Sequence, residues 1–262
     1  MKGKKRQLSS RSVLYMTIGV LTISLMTIIG ASAFLKTTEI QVEGNSMYSS
    51  DVIIKASGVM PGDNLIFINA QRISQNIRST LPFVSAVEVT RSLPNTVHIE
   101  ITESLAVASV TFAGEIYIID SAGRVLARVP SDEPVLEGVD FGSLIEVRGV
   151  DIEETNVGNI LRPVFGTETK LQYMQDVLIA LERETLLKDV SFIDVSNIVN
   201  VFFGYMGRYR VILGGSTNLR PSNLRHRMSQ LESSARQFSA QMPNVSGRIS
   251  WDDAGNISFT HD

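Results

Sequence analysis

The first hydrophobic feature of the chain is a long uncharged segment near its N-terminus. No charged residue occurs from Val13 to Leu35, a run of 23 residues, and a helix that crosses the hydrocarbon core of a bilayer needs about 20. The pattern predicts one transmembrane helix at residues 13–35. A cleaved signal peptide is the competing interpretation, because Ala31-Ser32-Ala33 fits a small-x-small cleavage site. Signal peptides have apolar regions of only about 7–15 residues, so the length favours a retained anchor.

The charges on the two sides of this segment predict its orientation. Residues 1–12 contain five basic side chains and no acidic one, whereas only Lys36 follows the segment directly. Positive charge is enriched on the cytoplasmic side of membrane helices. We therefore expect a cytoplasmic tail at residues 1–12 and an extracytoplasmic location for everything after Lys36.

Residues 37–105 show short amphipathic elements in the order β-α-α-β-β. Polar and apolar residues alternate at 39–43, and a Gly44-Asn45 turn leads to a helix that begins near Ser49 or Ser50. Asn69 is a suitable N-cap for a second helix, which ends at Pro82. Two alternating runs at 83–91 and 96–103 then predict a pair of strands. The apolar stripes predicted to face the core are Ile73, Ile77 and Leu81; Phe83, Val87 and Val89; and Val97, Ile99 and Ile101.

Residues 106–262 predict a second unit that mixes strands with two helices. Apolar residues recur at helical spacing in 171–185 and again in 224–238. Hairpins are predicted at 198–213 and at the chain end, where 247–251 and 256–260 flank an Asp-Asp-Ala-Gly turn. Residues 140–163 are predicted to form a solvated acidic excursion. The fold class is therefore α+β: a transmembrane helix, a small β-α-α-β-β domain, and a second, β-rich mixed domain.

The charge balance argues against a nucleic-acid partner. Once the basic residues of the N-terminal tail are set aside, 19 basic and 27 acidic side chains remain. A nucleic-acid-binding domain normally presents a basic surface.

The sequence contains no recognisable catalytic or metal-binding motif. Cysteine is absent, and the three histidines (His98, His226 and His261) do not stand at metal-ligand spacing. Gly214-Gly215-Ser216 lacks the following Lys of a P-loop. We expect no enzyme, no cofactor, no metal and no small-molecule substrate.

A sheet edge is the remaining candidate for a binding site, because an edge strand offers unpaired N–H and C=O groups to a partner strand. The terminal pair of strands is the leading candidate because it lies at the chain end. It also contains the only tryptophan, Trp251, and aromatic residues are favoured in interfaces. Packing of Trp251 in the core is the competing interpretation.

Several short motifs, taken in order, resemble one known family. They are Val42-x-Gly44-Asn45, Gly62-Asp63-Asn64-Leu65, Pro94-Asn95-Thr96-Val97-x-Ile99, Tyr117-Ile118-Ile119-Asp120-x-x-Gly123-x-Val125 and Gly207-Arg208-Tyr209-Arg210-Val211. Together with the element order, they resemble the FtsQ/DivIB family of bitopic bacterial cell-division proteins, which carry a POTRA domain followed by a β domain.

The resemblance implies a divisome scaffold at the division septum that helps to regulate septal peptidoglycan synthesis. It implies two partners, a small FtsB-like (DivIC-like) protein and an FtsL-like protein, both with a single membrane span. The last strand of the β domain would receive the FtsB-like partner. By position, the implied partner-binding residues are Arg248, Ile249, Ser250, Trp251, Ser258 and Phe259. The alternative interpretation is a POTRA-containing component of membrane-protein export or insertion.

Overall fold

A computed structural model gives the fold and describes residues 10–215, 219–242, 245–252 and 254–261. Residues 1–9 of the predicted basic tail lie outside this range. The chain divides into two compact units, Met1–Glu103 and Ser104–Asp262.

The N-terminal helix α1 spans Ser10–Phe34, and its side chains are described at residues 11, 13–26 and 30. Among the residues that the structure describes, no helix is long and apolar enough to cross a membrane.

The rest of the first unit is a three-stranded sheet with two helices, in the predicted β-α-α-β-β order. Its elements are β1 (Glu39–Glu43), α2 (Ser50–Ser57), α3 (Ala70–Thr80), β2 (Val84–Ser92) and β3 (Thr96–Glu103). Strand β3 is central, parallel to β1 and antiparallel to β2. The predicted N-cap is confirmed, because the Asn69 side chain accepts a hydrogen bond from the Arg72 amide.

Buried residues of α2, α3 and β3 form the core of this unit. The stripes at 73, 77 and 81 and at 97, 99 and 101 are buried as predicted. The predicted stripe of β2 is buried at Phe83 and partly buried at Val87 and Val89. A bulge between Val84 and Ala86 shifts the register, and Val84 joins the core as well, while Phe83 packs edge-on against Tyr48.

The described residues of the second unit form one nine-stranded sheet and two long helices. Its strands are β4 (Ala108–Phe112), β5 (Glu115–Ile119), β6 (Val125–Pro130), β7 (Ile145–Arg148), β8 (Ile152–Glu153), β9 (Arg162–Pro163), β10 (Val190–Asp194), β11 (Val201–Tyr205), β12 (Tyr209–Gly214), β13 (Gly247–Trp251) and β14 (Ile257–His261). Its helices are α4 (Glu168–Arg183) and α5 (Pro221–Gln241). The sheet order is β14-β13-β12-β11-β10-β7-β4-β5-β6, and β8 and β9 form a separate small ribbon. Residues of α4 and α5 pack with one face of the large sheet in a single core.

The predicted acidic excursion at 140–163 is wrong. Strand β7 lies in the middle of the sheet and pairs in parallel with both β4 and β10. Ile145 and Val147 are buried, whereas Glu146 and Arg148 are exposed. Ile152 and Leu161 are buried as well. The strand is only four residues long, so its alternation is brief, and acidic neighbours obscured it.

Candidate partner-binding site

The outer edge of the large sheet at the C-terminal end is β14, not the strand at 247–251. Strand β13 is paired in parallel with β12 on one side and antiparallel with β14 on the other. Of the two terminal strands predicted as the candidate edge, β14 is therefore the open one, and residues 248–251 are covered on both sides. In the described part of the chain, β14 has a strand neighbour on one side only.

The backbone groups that β14 presents outward follow from its pairing with β13. The Asp252 amide donates to the Asn256 carbonyl over 3.0 Å, and bonded pairs alternate with non-bonded pairs along an antiparallel ladder. The register pairs Trp251 with Ile257 and Ile249 with Phe259. These fall on the non-bonded positions, so the N–H and C=O groups of Ile257, Phe259 and His261 point away from β13.

One face of the terminal hairpin packs on α5. Ile249 is fully buried, so its side chain is a core residue and is closed to a partner. Trp251 is half-buried: its indole Nε1 donates to Gln230 Oε1 over 3.2 Å, and the Arg227 guanidinium lies 5.1 Å from its ring centre. Trp251 therefore packs on the core, as one interpretation predicts, and also keeps part of its surface exposed, as an interface role requires.

Phe259 belongs to the same face. Its ring lies 5.4 Å from that of Phe238 and 5.9 Å from that of Tyr209. The Tyr209 hydroxyl is 2.9 Å from Ser239 Oγ. The aromatic contacts and this hydrogen bond hold the edge strand against α5, so its backbone is presented on a supported surface.

The opposite face of the hairpin is polar. Arg248 and Ser258 are exposed, and Ser250 Oγ lies 3.1 Å from Ser258 Oγ. Arg248 stands in register with Arg210 of β12. The Arg210 guanidinium in turn lies 5.1 Å from the centre of the Phe202 ring. This face therefore combines positive charge with aromatic surface.

Buried ionisable groups near α5 have structural roles. Burial lowers the pKa of Arg227, whose Nη1 donates to the Leu213 carbonyl over 2.8 Å. Burial, together with Asp189 and Glu232, raises the pKa of Tyr205 to about 12. Of the histidines, His226 contacts Gln230 on its own helix at 3.2 Å. Within the described ranges, no group of three or more His, Asp or Glu side chains is placed to hold a metal.

Comparison with known proteins identifies the first unit. A family model described as "POTRA domain, FtsQ-type" matches residues 35–104. The chain is also similar to cell division protein DivIB of Clostridium tetani (23% identity over 196 residues, covering 74% of this chain and 69% of that protein). A DivIB of Clostridium botulinum is 24% identical over 208 residues, covering 79% of this chain and 76% of that protein. Cell division protein FtsQ of Corynebacterium glutamicum is 30% identical over 140 residues, covering 51% of this chain and 62% of that protein. Residues 35–104 are therefore an FtsQ-type POTRA domain, and the chain as a whole is similar to FtsQ and DivIB cell division proteins.

These relatives are named for a role in cell division. In this chain the FtsQ-type POTRA domain is followed by a β-rich unit. The site residues that the sequence assigned all lie on β13 and β14, but the structure divides them between a packed face and a polar face. Sequence reasoning missed Ile257 and His261, whose outward backbone groups become evident only from the register.

Proposed function

We propose that this protein is an FtsQ/DivIB-type divisome scaffold that binds an FtsB-like (DivIC-like) and an FtsL-like membrane protein and helps to regulate septal peptidoglycan synthesis. The outer edge of β14 carries this proposal. An edge strand with free N–H and C=O groups can accept a partner strand, and side chains then give specificity. The protein would act by binding and not by catalysis.

The surroundings of β14 define the partner strand that would fit. Side chains of an added strand alternate between the two faces of the sheet. Residues level with Ile257 and Phe259 would meet the apolar surface around Phe238, whereas those level with Ser258 would meet the polar face. The exposed arginines favour acidic side chains at these outward positions. We therefore expect a strand in which apolar and polar or acidic residues alternate.

We propose that residues 13–35 anchor the protein as a single span. This proposal rests on the 23 uncharged residues and on the basic residues that precede them. The N-terminus would be cytoplasmic, and the POTRA domain and β-rich unit would be extracytoplasmic, concentrated at the septum.

The decisive experiment removes one outward N–H from β14 without touching the β13 ladder. Ile257→Pro deletes the outward donor at residue 257, since proline has no N–H. Ile257→Ala is the matched control, because it shortens the same side chain and keeps the donor. We expect the proline variant to lose capture of the FtsB-like partner in co-purification from membranes, while the alanine variant retains it.

Equal capture by the two variants would refute strand addition at this edge. Circular dichroism on both proteins checks that the sheet is intact. At the cellular level, depletion should give filamentous cells. Loss of outer-membrane proteins without filamentation would instead support the export or insertion alternative.

A further inference from the structure

Four large apolar side chains that face solvent lie in the 60–67 loop and in the turn between β2 and β3 of the POTRA domain. Their exposed fractions are 68% for Met60, 55% for Ile66, 81% for Phe67 and 75% for Leu93. We call these four residues the loop patch. Clustered exposed apolar residues mark interaction sites because each exposed side chain is unfavourable in water.

Backbone hydrogen bonds place the loop that carries three of these residues beside the C-terminal end of α1. The Leu65 amide donates to the Leu35 carbonyl, and the Thr37 amide donates to the Asp63 carbonyl, each over 2.7 Å. The Gly62 amide donates a hydrogen bond of 2.7 Å to the Thr37 carbonyl. The loop at 60–67 is thus fastened to the residues that directly follow the helix.

The turn that carries Leu93 lies at the same end of the domain. The Thr38 amide donates to the Asn95 carbonyl over 3.0 Å, and the Asn95 side chain bonds the Thr38 hydroxyl. Arg91 Nη1 donates to the carbonyls of Leu65 and Ile66 over 3.3 and 3.2 Å. Both loops therefore stand where the chain leaves α1.

The charges around the loop patch suit an anionic surface. Lys36, Arg72 and Arg91 are exposed at this end, against two carboxylates, Asp63 and Glu39. Asp63 is partly engaged, since its Oδ2 accepts from the Met60 amide over 2.9 Å. Long basic side chains next to apolar residues are typical of the membrane interface, where they reach lipid phosphates.

We infer that the loop patch inserts into the membrane interface and seats the POTRA domain on the bilayer. The inference rests on the proposed anchor, because the uncharged run ends at Leu35, the residue that bonds Leu65. A domain fastened in this way has no free spacer between anchor and sheet. Interfacial contact by Phe67 and its neighbours would restrict its tilt and rotation, in the way that interfacial segments bury an apolar face at the headgroup boundary.

Depth-dependent quenching in vesicles tests this inference on the full chain. The protein has no cysteine, so a single introduced cysteine carries the only label. We would attach an environment-sensitive fluorophore at Phe67→Cys and reconstitute the chain in phosphatidylcholine and phosphatidylglycerol vesicles with nitroxide-labelled lipids. Thr102→Cys is the control within the domain, because Thr102 is exposed and lies about 20 Å further along β3 from Thr96.

We expect a blue-shifted emission and several-fold stronger quenching at residue 67 than at residue 102. A label at Ser24→Cys, midway along residues 13–35, reports the anchor separately. Quenching at residue 24 without quenching at residue 67 would overturn the inference but support the membrane anchor at residues 13–35. Absence of quenching at both positions would overturn both. Quenching at 67 alone would support interfacial contact and overturn the anchor.

A second variant tests the apolar contact itself. With the label at Ile66→Cys, Phe67→Asp should reduce quenching to the level seen at residue 102. Phe165→Asp is the matched control, because Phe165 is also exposed, at 94%, and belongs to the other unit. Unchanged quenching in the Phe67→Asp protein would count against the inference. A blue shift that depends on protein concentration and not on lipid would show a second copy or a protein partner at the patch, and would also overturn it.

Discussion

Strand β7 offers the sharpest test of the fold, because the sequence concealed it. Ile145 is fully buried between β4 and β10, and its amide donates to the Val107 carbonyl over 3.0 Å. Ile145→Ala removes three buried carbon atoms, worth about 2.5 kcal/mol at roughly 0.8 kcal/mol each. The cavity left behind raises the expected loss of unfolding free energy to about 3–4 kcal/mol, within the ~2–5 kcal/mol range for such truncations.

Urea unfolding followed by Trp251 fluorescence measures this loss. Trp251 is the only tryptophan in the chain and lies in the second unit, so its signal reports that unit. With an m-value of about 2 kcal/mol/M, the midpoint should fall by about 1.5–2 M.

Glu146→Ala is the matched control, since it changes the next residue of the same strand on the exposed face. Glu146 pairs with Arg148 at 2.5 Å, but both side chains are about half exposed, and such a pair contributes only about 0–1 kcal/mol. A midpoint for Ile145→Ala that equals the control's would show that β7 is not part of the core, and would refute the topology.

Further predictions concern the POTRA loop and the terminal hairpin. The pKa of Glu103 lies below its usual value. Burial alone would raise it, but hydrogen bonds from Ser46, Met47 and Tyr48 to the carboxylate have the larger effect. This carboxylate should therefore stabilise the domain above the unfolded-state pKa of about 4.3, and the contribution should vanish as the pH falls through the lower folded-state value. Glu103→Gln should lower the free energy of unfolding by about 1–2 kcal/mol near pH 7 and should weaken its dependence on pH in the acid range, as measured by calorimetry. A thermal transition equal to that of the unsubstituted protein both near pH 7 and in acid would contradict this. Gly247→Ala places a methyl carbon 2.4 Å from the Thr260 carbonyl oxygen and 2.6 Å from the Phe259 ring. It should displace β14 and abolish partner capture, seen as faster amide exchange at 257–261, whereas slow exchange with intact capture would count against the close approach.

Local pattern was sufficient for elements whose partners are near in sequence. The helices at 70–80 and 168–183 follow apolar spacing, and Asn69 caps its helix with its own side chain. The hairpin of β13 and β14 could be recognised because its strands flank a short turn. Each of these features depends on residues that are close together in the chain, so the local sequence is enough to predict it.

The order of strands in the large sheet depends on contacts between distant residues. Whether β13 is an edge depends on its parallel pairing with β12, and β7 becomes central only because β4 and β10 meet on its two sides. A bulge at the start of β2 lets Val84 join the POTRA core directly after the buried Phe83.

The amino-acid sequence alone determined the uncharged segment, the secondary-structure order of the POTRA domain and the resemblance to FtsQ and DivIB proteins. Tertiary structure decided which strand is exposed, which face of Trp251 is packed, and that Met60, Phe67 and Leu93 gather at one end of the domain. The reason is physical: amphipathic periodicity records which side of an element is buried, but strand neighbours and surface clusters arise from pairings between residues far apart in the chain.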